Sequence, residues 1–139
     1  DLELDSYFFK DTSNDTIWHL NENDKVDRIK DFLNEVSLSK FTFCPRGNGS
    51  SSFRLFESLE AGSVPIITGM IDYPFIDVVD WDSFSIRGES IEDLPVLIEK
   101  SKNLTDKEYE VMRQNGIDFW EQYCRLDNYH DWVITEFLL

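Results

Sequence analysis

The stretch that most constrains the fold runs through residues 41–67 and reads FTFCPRGNGSSSFRLFESLEAGSVPII. It predicts an apolar strand over 40–44, a loop of small polar residues, a helix over about 52–61 and a second apolar strand over 63–68. Gly62 stands where a helix is expected to end. Strand, helix and strand at this spacing indicate a βαβ unit, in which the two strands lie parallel with a right-handed crossover.

The rest of the chain is mainly helical in pattern. The predicted elements are an extended piece within 14–24, a helix from an Asp24 cap to Ser39, a strand over 83–86, a helix from Ser90 to Asn103, a helix from a Thr105–Glu108 capping box to Tyr123, and a last helix over 128–139. The expected fold is α/β, a Rossmann-like parallel sheet flanked by helices, in a single domain over 1–139 with C-terminal helices from about 90 to 139.

Composition excludes several classes of protein. With 139 residues, 41% of them hydrophobic and 14% aromatic, the chain can close a core and is not a disordered segment. Its apolar runs are shorter than the roughly 18 residues of a membrane span, and we expect no signal peptide within these 139 residues. A formal net charge of −15 repels nucleic acid and anionic lipid. Any anion that this chain binds must therefore be held by a local cluster of donors.

The cysteines and histidines indicate neither a metal site nor a thiol nucleophile. Cys44 and Cys124 lack metal-ligand spacing, and Cys44 is expected to be a small buried hydrophobe in the first strand. His19 and His130 are isolated from any serine or cysteine partner, and we expect ordinary surface or packing roles for them.

The polar loop after the first strand has the features of a phosphate site. Ligands of open α/β sheets bind beyond the carboxyl ends of the strands, where the next helix begins with N–H groups that have no intrahelical acceptor. Glycines allow close backbone approach, serines add hydroxyl donors, and arginines at both ends of the loop offer planar forks for one diphosphate. The candidate residues are Arg46, Gly47, Asn48, Gly49, Ser50, Ser51, Ser52 and Arg54.

Glu57 extends the candidate site by one helical turn. It follows Arg54 by three residues and therefore shares its helix face, where a carboxylate can accept hydrogen bonds from ribose hydroxyls. The alternative is a surface ion pair between Arg54 and Glu57 beside a solvated turn. The loop matches neither the dinucleotide-binding G-x-G-x-x-G pattern nor the Walker pattern.

Four segments in combination resemble a known family: CPRG, SFRLFESLEAGSVPII, DYPFIDVVDW and IEDLPVLIEKSKNLTDKEYEVMR followed by FWEQY. Over roughly residues 27–139 the chain is similar to the C-terminal, nucleotide-sugar-binding half of exostosin-type glycosyltransferases (family 47). The resemblance implies a GT-B fold, in which two Rossmann-like domains face a cleft. It also implies transfer from a nucleotide sugar, usually UDP-linked, to a glycan or other hydroxyl acceptor, with inversion and without a bound metal or other cofactor.

The resemblance also implies roles for individual residues. Arg46 and Arg54 match the basic residues at the donor diphosphate, where charge develops as the leaving group departs, and Glu57 matches the ribose-binding acid. Pro65 would be a packing position and Trp81 part of the core. The general base is expected on the N-terminal domain. Because this chain is too short to include such a domain, we expect an N-terminal GT-B domain or a partner chain to complete the site.

Three other interpretations stay open. The AGSVP segment also occurs in fucosyltransferases, which would make this a GDP-fucose-type donor domain. The chain would otherwise be a non-catalytic nucleotide- or glycan-binding module, or a structural domain whose arginines pair with neighbouring acids. The compartment is not determined: an N-glycosylation sequon at Asn48, within the loop, favours a cytoplasmic chain, whereas a eukaryotic exostosin relative would work in the Golgi lumen.

Overall fold

The computed structural model describes residues 21–47, 49–128 and 134–135. The extended piece predicted within 14–24 and the helix predicted over 128–139 lie mostly outside these residues, and Asn48 and both histidines lie outside them entirely. By their contacts, residues 1–32 and residues 33–139 form two separate units. The sheet belongs to the second unit, and the prediction of a single domain stays a prediction.

Apart from the helical residues 126–128 and 134–135, the described residues form seven regular elements. They are α1 (Glu22–Leu38), β1 (Phe41–Pro45), α2 (Phe53–Glu60), β2 (Val64–Thr68), β3 (Ile86–Gly88), α3 (Leu94–Lys102) and α4 (Asp106–Phe119). Single 3₁₀ turns at Trp81–Ser83 and Ile91–Asp93 precede β3 and α3, and a π-helical turn at Trp120–Cys124 follows α4. None of the described helices is long and apolar enough to cross a membrane.

The three strands form one parallel sheet in the order β1-β2-β3. Phe41 pairs with Val64 and Pro45 with Thr68, so β1 and β2 run side by side along their whole length. Strand β3 pairs with the second half of β2, from Ile66 opposite Ile86. Two parallel strands joined by a helix are the βαβ unit that the sequence predicts, and the α/β parallel-sheet prediction is confirmed.

Alternating side chains of β2 supply a core on each face of the sheet, as the two-residue period of a strand requires. All five residues of β2 are buried. On one face Ile67 packs with a cluster drawn from β1, α2, the turn before β3 and α4; its buried members are Cys44, Leu55, Leu59, Ile67, Ile71, Trp81, Phe84 and Phe119. On the other face Ile66 packs with Ile86 and Leu97 of α3. Trp81 is therefore a core residue, as predicted.

Local capping signals place several helix ends correctly. Ser52 occupies the N-cap of α2, and Gly62 follows its end with φ +72°, a conformation that glycine adopts without steric cost. Thr105 and Glu108 form the predicted capping box of α4: the Thr105 N–H donates to Glu108 Oε2 at 2.8 Å, and the Glu108 N–H donates to Thr105 Oγ1 at 3.2 Å.

Two predicted boundaries are wrong. Helix α1 starts at Glu22 rather than after an Asp24 cap, because Asn21 Oδ1 accepts the Asp24 N–H at 2.9 Å and caps the helix. The third strand lies at 86–88 rather than 83–86. Residues 81–83 form a 3₁₀ turn, in which Asp80 accepts the Asp82 N–H, and this turn delays the extended conformation.

Candidate functional site

The carboxyl ends of the three parallel strands meet at one edge of the sheet, at Pro45, Thr68 and Gly88. The residues that follow the strands therefore lie together at this carboxyl edge. Residues 46–52, which we call the polar loop, follow β1 and lead into α2. Residues 69–74, the 69–74 segment, follow β2. This edge is where ligands bind in open α/β sheets.

The polar loop begins with Arg46, whose backbone is bonded to β2 and whose side chain is bonded to the loop. The Arg46 N–H donates to the Thr68 carbonyl at 3.1 Å, which continues the β1–β2 pairing beyond the strand. The Arg46 side chain is exposed, and its Nε donates to the Gly49 carbonyl at 3.2 Å. Ser52 is buried with extended backbone (φ −131°, ψ 121°), as an N-cap residue requires. The polar loop therefore begins with an exposed arginine and ends at the N-cap of α2, the positive end of the helix dipole.

Arg54 and Glu57 lie on the exposed side of α2, one turn apart. Their side chains are 34% and 42% exposed, and Arg54 Nε lies 3.7 Å from Glu57 Oε2. The surface ion pair that was the alternative to a ribose-binding role for Glu57 is thus present. An exposed pair of this kind contributes about 0–1 kcal/mol to stability. Exchanging it for a bidentate contact between Arg54 and a phosphate would therefore cost little.

The 69–74 segment contacts the polar loop, which sequence reasoning missed. The Asp72 N–H donates to the Ser50 carbonyl at 2.7 Å. Gly69 has φ +91°, and a Cβ added there would lie 3.1 Å from the Cβ of Arg46. Gly69 is thus needed both for its backbone conformation and for the close approach of Arg46. The sequence does carry a signal for this contact. Gly69 stands directly after the second strand, much as Gly47 stands shortly after the first.

Arg87 is a third arginine at this edge, and sequence reasoning missed it as well. Its Nε and a terminal nitrogen donate to the two carboxylate oxygens of Asp82 at 2.8 and 2.6 Å. Its guanidinium carbon lies 4.8 Å from the ring centroid of Tyr73. The strand predicted at 83–86 ends before Arg87. In the structure Arg87 is the middle residue of β3.

These contacts shift the protonation equilibria of the three side chains. Hydrogen bonding to Arg87 lowers the pKa of the Asp82 carboxyl below its ordinary value, and the same interaction raises the pKa of Arg87. Burial raises the pKa of the Tyr73 hydroxyl above its ordinary value. All three shifts keep Asp82 and Arg87 charged and Tyr73 neutral at physiological pH.

Cys44 lies in the core and is not a nucleophile. Burial raises the pKa of its thiol to about 12, and burial also raises the pKa of the Cys124 thiol to about 12.

We expect iodoacetamide at pH 8 to leave both thiols of the native protein unlabelled and to label both in urea, since an unfolded cysteine has a pKa of about 8.5. Mass spectrometry of the two samples measures this, and labelling of native Cys44 would contradict its burial.

No group of three or more histidine, cysteine, aspartate or glutamate side chains in the described part of the chain is placed to hold a metal ion. The chemistry at the carboxyl edge is that of the polar loop and the helix that follows it. Backbone N–H groups, serine hydroxyls and two arginine side chains are donors, and such a set is suited to an anion that can accept several hydrogen bonds at once.

Comparison with known proteins points in the same direction. The sequence model of the exostosin GT47 domain matches residues 7–101. The chain is 32% identical over 78 residues to one "Probable glycosyltransferase" of Arabidopsis thaliana and 38% identical over 73 residues to another; these matches cover 55% and 51% of the chain. It is 28% identical over 117 residues, 78% of its length, to the "Exostosin-1 homolog" of Caenorhabditis elegans.

The chain spans 16%, 14% and 30% of the lengths of these three relatives. The family match begins before the region in which the sequence motifs were recognised and ends at residue 101, in α3. It includes β1, the polar loop, α2 and all of the 69–74 segment. Because this match covers more than half of the chain, the chain belongs to the exostosin GT47 domain family.

Proposed function

We propose that this chain is the donor-binding domain of a glycosyltransferase that moves a sugar from a UDP-sugar to a hydroxyl of a glycan acceptor. In this proposal it forms the C-terminal half of a GT-B enzyme. The reaction is a single displacement with inversion at the anomeric carbon, and it needs no metal ion. The family membership supports sugar transfer, and the chemistry of the carboxyl edge supports a diphosphate leaving group.

The observation that carries the proposal is the placement of Arg46 and Arg54. Arg46 is the first residue of the polar loop, directly after β1, and Arg54 lies in the first turn of α2, just beyond the other end of the loop. The chain has a formal net charge of −15, so its overall field repels a nucleotide. Two cations and a helix N-terminus at one loop offset that field where a diphosphate would lie.

Each candidate residue then has a distinct task. As the bond from the sugar to the diphosphate breaks, negative charge grows on the departing phosphate oxygens. Arg46, Arg54 and the first N–H groups of α2 stabilise that charge, and this electrostatic contribution replaces a divalent cation. The glycines and serines of the polar loop bring backbone and hydroxyl donors to the phosphates. Glu57, one turn deeper on α2, accepts hydrogen bonds from the ribose hydroxyls.

The acceptor hydroxyl must also lose a proton as it attacks. We assign this general base to a second domain that faces the carboxyl edge. That second domain is an N-terminal GT-B domain or part of a partner chain. The proposal accordingly separates donor binding, which belongs to this domain, from proton removal. A nucleotide-binding measurement on this domain tests the first without requiring the second.

We expect UDP to raise the melting temperature more than GDP or inorganic phosphate does. A ligand that binds only the native state stabilises it by RT ln(1 + [L]/Kd). Without the facing domain we expect affinity in the high-micromolar range or weaker, so the nucleotide is added at millimolar concentration. EDTA should leave the shift unchanged. Thermal unfolding followed by circular dichroism measures each shift.

The outcomes separate the alternatives. A larger shift with GDP would replace the UDP assignment by a GDP-fucose-type donor domain. A shift that EDTA abolishes would contradict metal-independent binding. If neither nucleotide shifts the transition at millimolar concentration, Arg54 and Glu57 are a structural ion pair only and the donor-site proposal is wrong.

A further inference from the structure

The 69–74 segment is hydrogen-bonded on both sides. On the side of β3, the Gly69 N–H donates to the Gly88 carbonyl at 3.2 Å. On the side of the polar loop, the Asp72 N–H donates to the Ser50 carbonyl at 2.7 Å. The segment therefore connects β3, the strand that contains Arg87, to the polar loop.

Tyr73 is the residue of this segment that the Arg87 guanidinium covers. Its ring lies 4.9 Å from the ring of the buried Trp81, and the Arg87 guanidinium lies 4.8 Å from its centroid. The Trp81 Nε1–H donates to the carbonyl of the next residue, Pro74, at 3.0 Å. Asp82 holds the guanidinium in place through two hydrogen bonds. A planar guanidinium can bind a carboxylate with its edge and cover a ring with its face, which an ammonium cannot do.

We infer that Arg87 is a positioning residue for the nucleotide site: by holding Tyr73 it fixes the 69–74 segment, and the segment fixes the polar loop and Arg46. This inference rests on the proposed donor-binding function. Two contacts transmit the effect, namely the Asp72–Ser50 hydrogen bond and the close approach of Gly69 to Arg46 Cβ. Arg87 needs no contact with the nucleotide.

The first experiment compares UDP affinity in Arg87→Gln, Arg87→Lys and Arg125→Gln variants of the protein. Arg125 is the matched control, because its terminal nitrogen donates to Glu121 at 2.8 Å in an exposed ion pair after α4. Calorimetric titration is done at a temperature where circular dichroism shows every variant folded. We expect Arg87→Gln to weaken binding about three- to tenfold, Arg87→Lys to weaken it less, and Arg125→Gln to change it by less than about twofold.

The second experiment is a double-mutant cycle with Arg46→Gln, and it distinguishes positioning from a general loss of stability. If Arg87 acts by placing Arg46, then Arg87→Gln loses most of its effect on UDP affinity once Arg46 has been replaced. A purely structural role predicts that the effect is the same in both backgrounds. Unchanged affinity of folded Arg87→Gln, or full additivity in the cycle, overturns the inference while leaving the donor site intact. If the parent protein binds no nucleotide, both the donor site and the inference are wrong.

Discussion

Replacing Arg54 by lysine is expected to weaken UDP binding by about 1.5–3 kcal/mol, the scale of a hydrogen bond to a charged group. This corresponds to a rise in Kd from roughly tenfold to more than a hundredfold. Arg54 lies in the first turn of α2, where its guanidinium and the helix N–H groups can address the same anion. Lysine keeps the charge but loses the planar fork that makes two parallel hydrogen bonds to a phosphate. Calorimetric titration with UDP measures the change.

Arg113 provides a close control for this substitution. Its side chain is 37% exposed and lies 3.6 Å from Glu110, three residues away on α4, so its exposure and pairing nearly equal those of Arg54. Arg113 lies beside Gly62. Gly62 precedes β2, so this contact is at the edge of the sheet opposite to the carboxyl edge. We expect Arg113→Lys to bind UDP like the parent. Parent-like binding by Arg54→Lys, or loss of binding only through unfolding, would refute the donor-site assignment.

Replacing Phe119 by alanine is expected to lower the free energy of unfolding by about 3–5 kcal/mol, the usual range for a buried phenylalanine. Phe119 is 4% exposed at the end of α4. Its ring stacks on Phe84 with 4.9 Å between centroids and meets the edge of Trp81 at 5.0 Å. Alanine would leave a cavity between α4 and the turn before β3. Urea unfolding measures this loss, which corresponds to a fall in midpoint of about 1.5–3 M.

Phe53→Ala is the matched control, because it deletes the same atoms from a side chain that is 90% exposed. We expect it to change the free energy of unfolding by no more than about 0.5 kcal/mol. Similar losses in the two variants would show that Phe119 is not part of the core described here. Phe53 also lies in the first turn of α2, beside the candidate site. Comparing the Phe119→Ala and Phe53→Ala variants therefore separates a loss of core packing from a change at the site.

The βαβ unit could be predicted because its signals are local. Two short apolar runs, helical periodicity, a proline at the end of the first strand and Gly62 after the helix all lie within one short stretch. The position of β3 could not be predicted in this way. Residues 81–86 are compatible with a 3₁₀ turn or a strand, and the choice depends on packing of Trp81 and Phe84 against Phe119 on another element.

The same distinction applies to the candidate site. The sequence identifies Arg46, Arg54 and the small residues between them, since they are neighbours along the chain. The contacts that organise these residues join positions far apart in sequence, such as Ser50 with Asp72 and Tyr73 with Arg87. No local pattern reports such pairs. The ion pair between Arg54 and Glu57 could be predicted from helical spacing alone.

The parallel sheet has a consequence for how the domain can change in evolution. At the amino edge, a Cβ added to Gly62 would lie 3.4 Å from a terminal nitrogen of Arg113 on α4, and neither residue belongs to the candidate site. At the carboxyl edge, Gly69 and Arg46 are so close that a substitution at one alters the other. Mutations at the amino edge can therefore accumulate one at a time, because a destabilising substitution there can be offset by a stabilising substitution elsewhere in the domain. Under the proposed donor-binding function, mutations at the carboxyl edge must also preserve contacts to the nucleotide, so Gly69 and Arg46 are expected to change in combination.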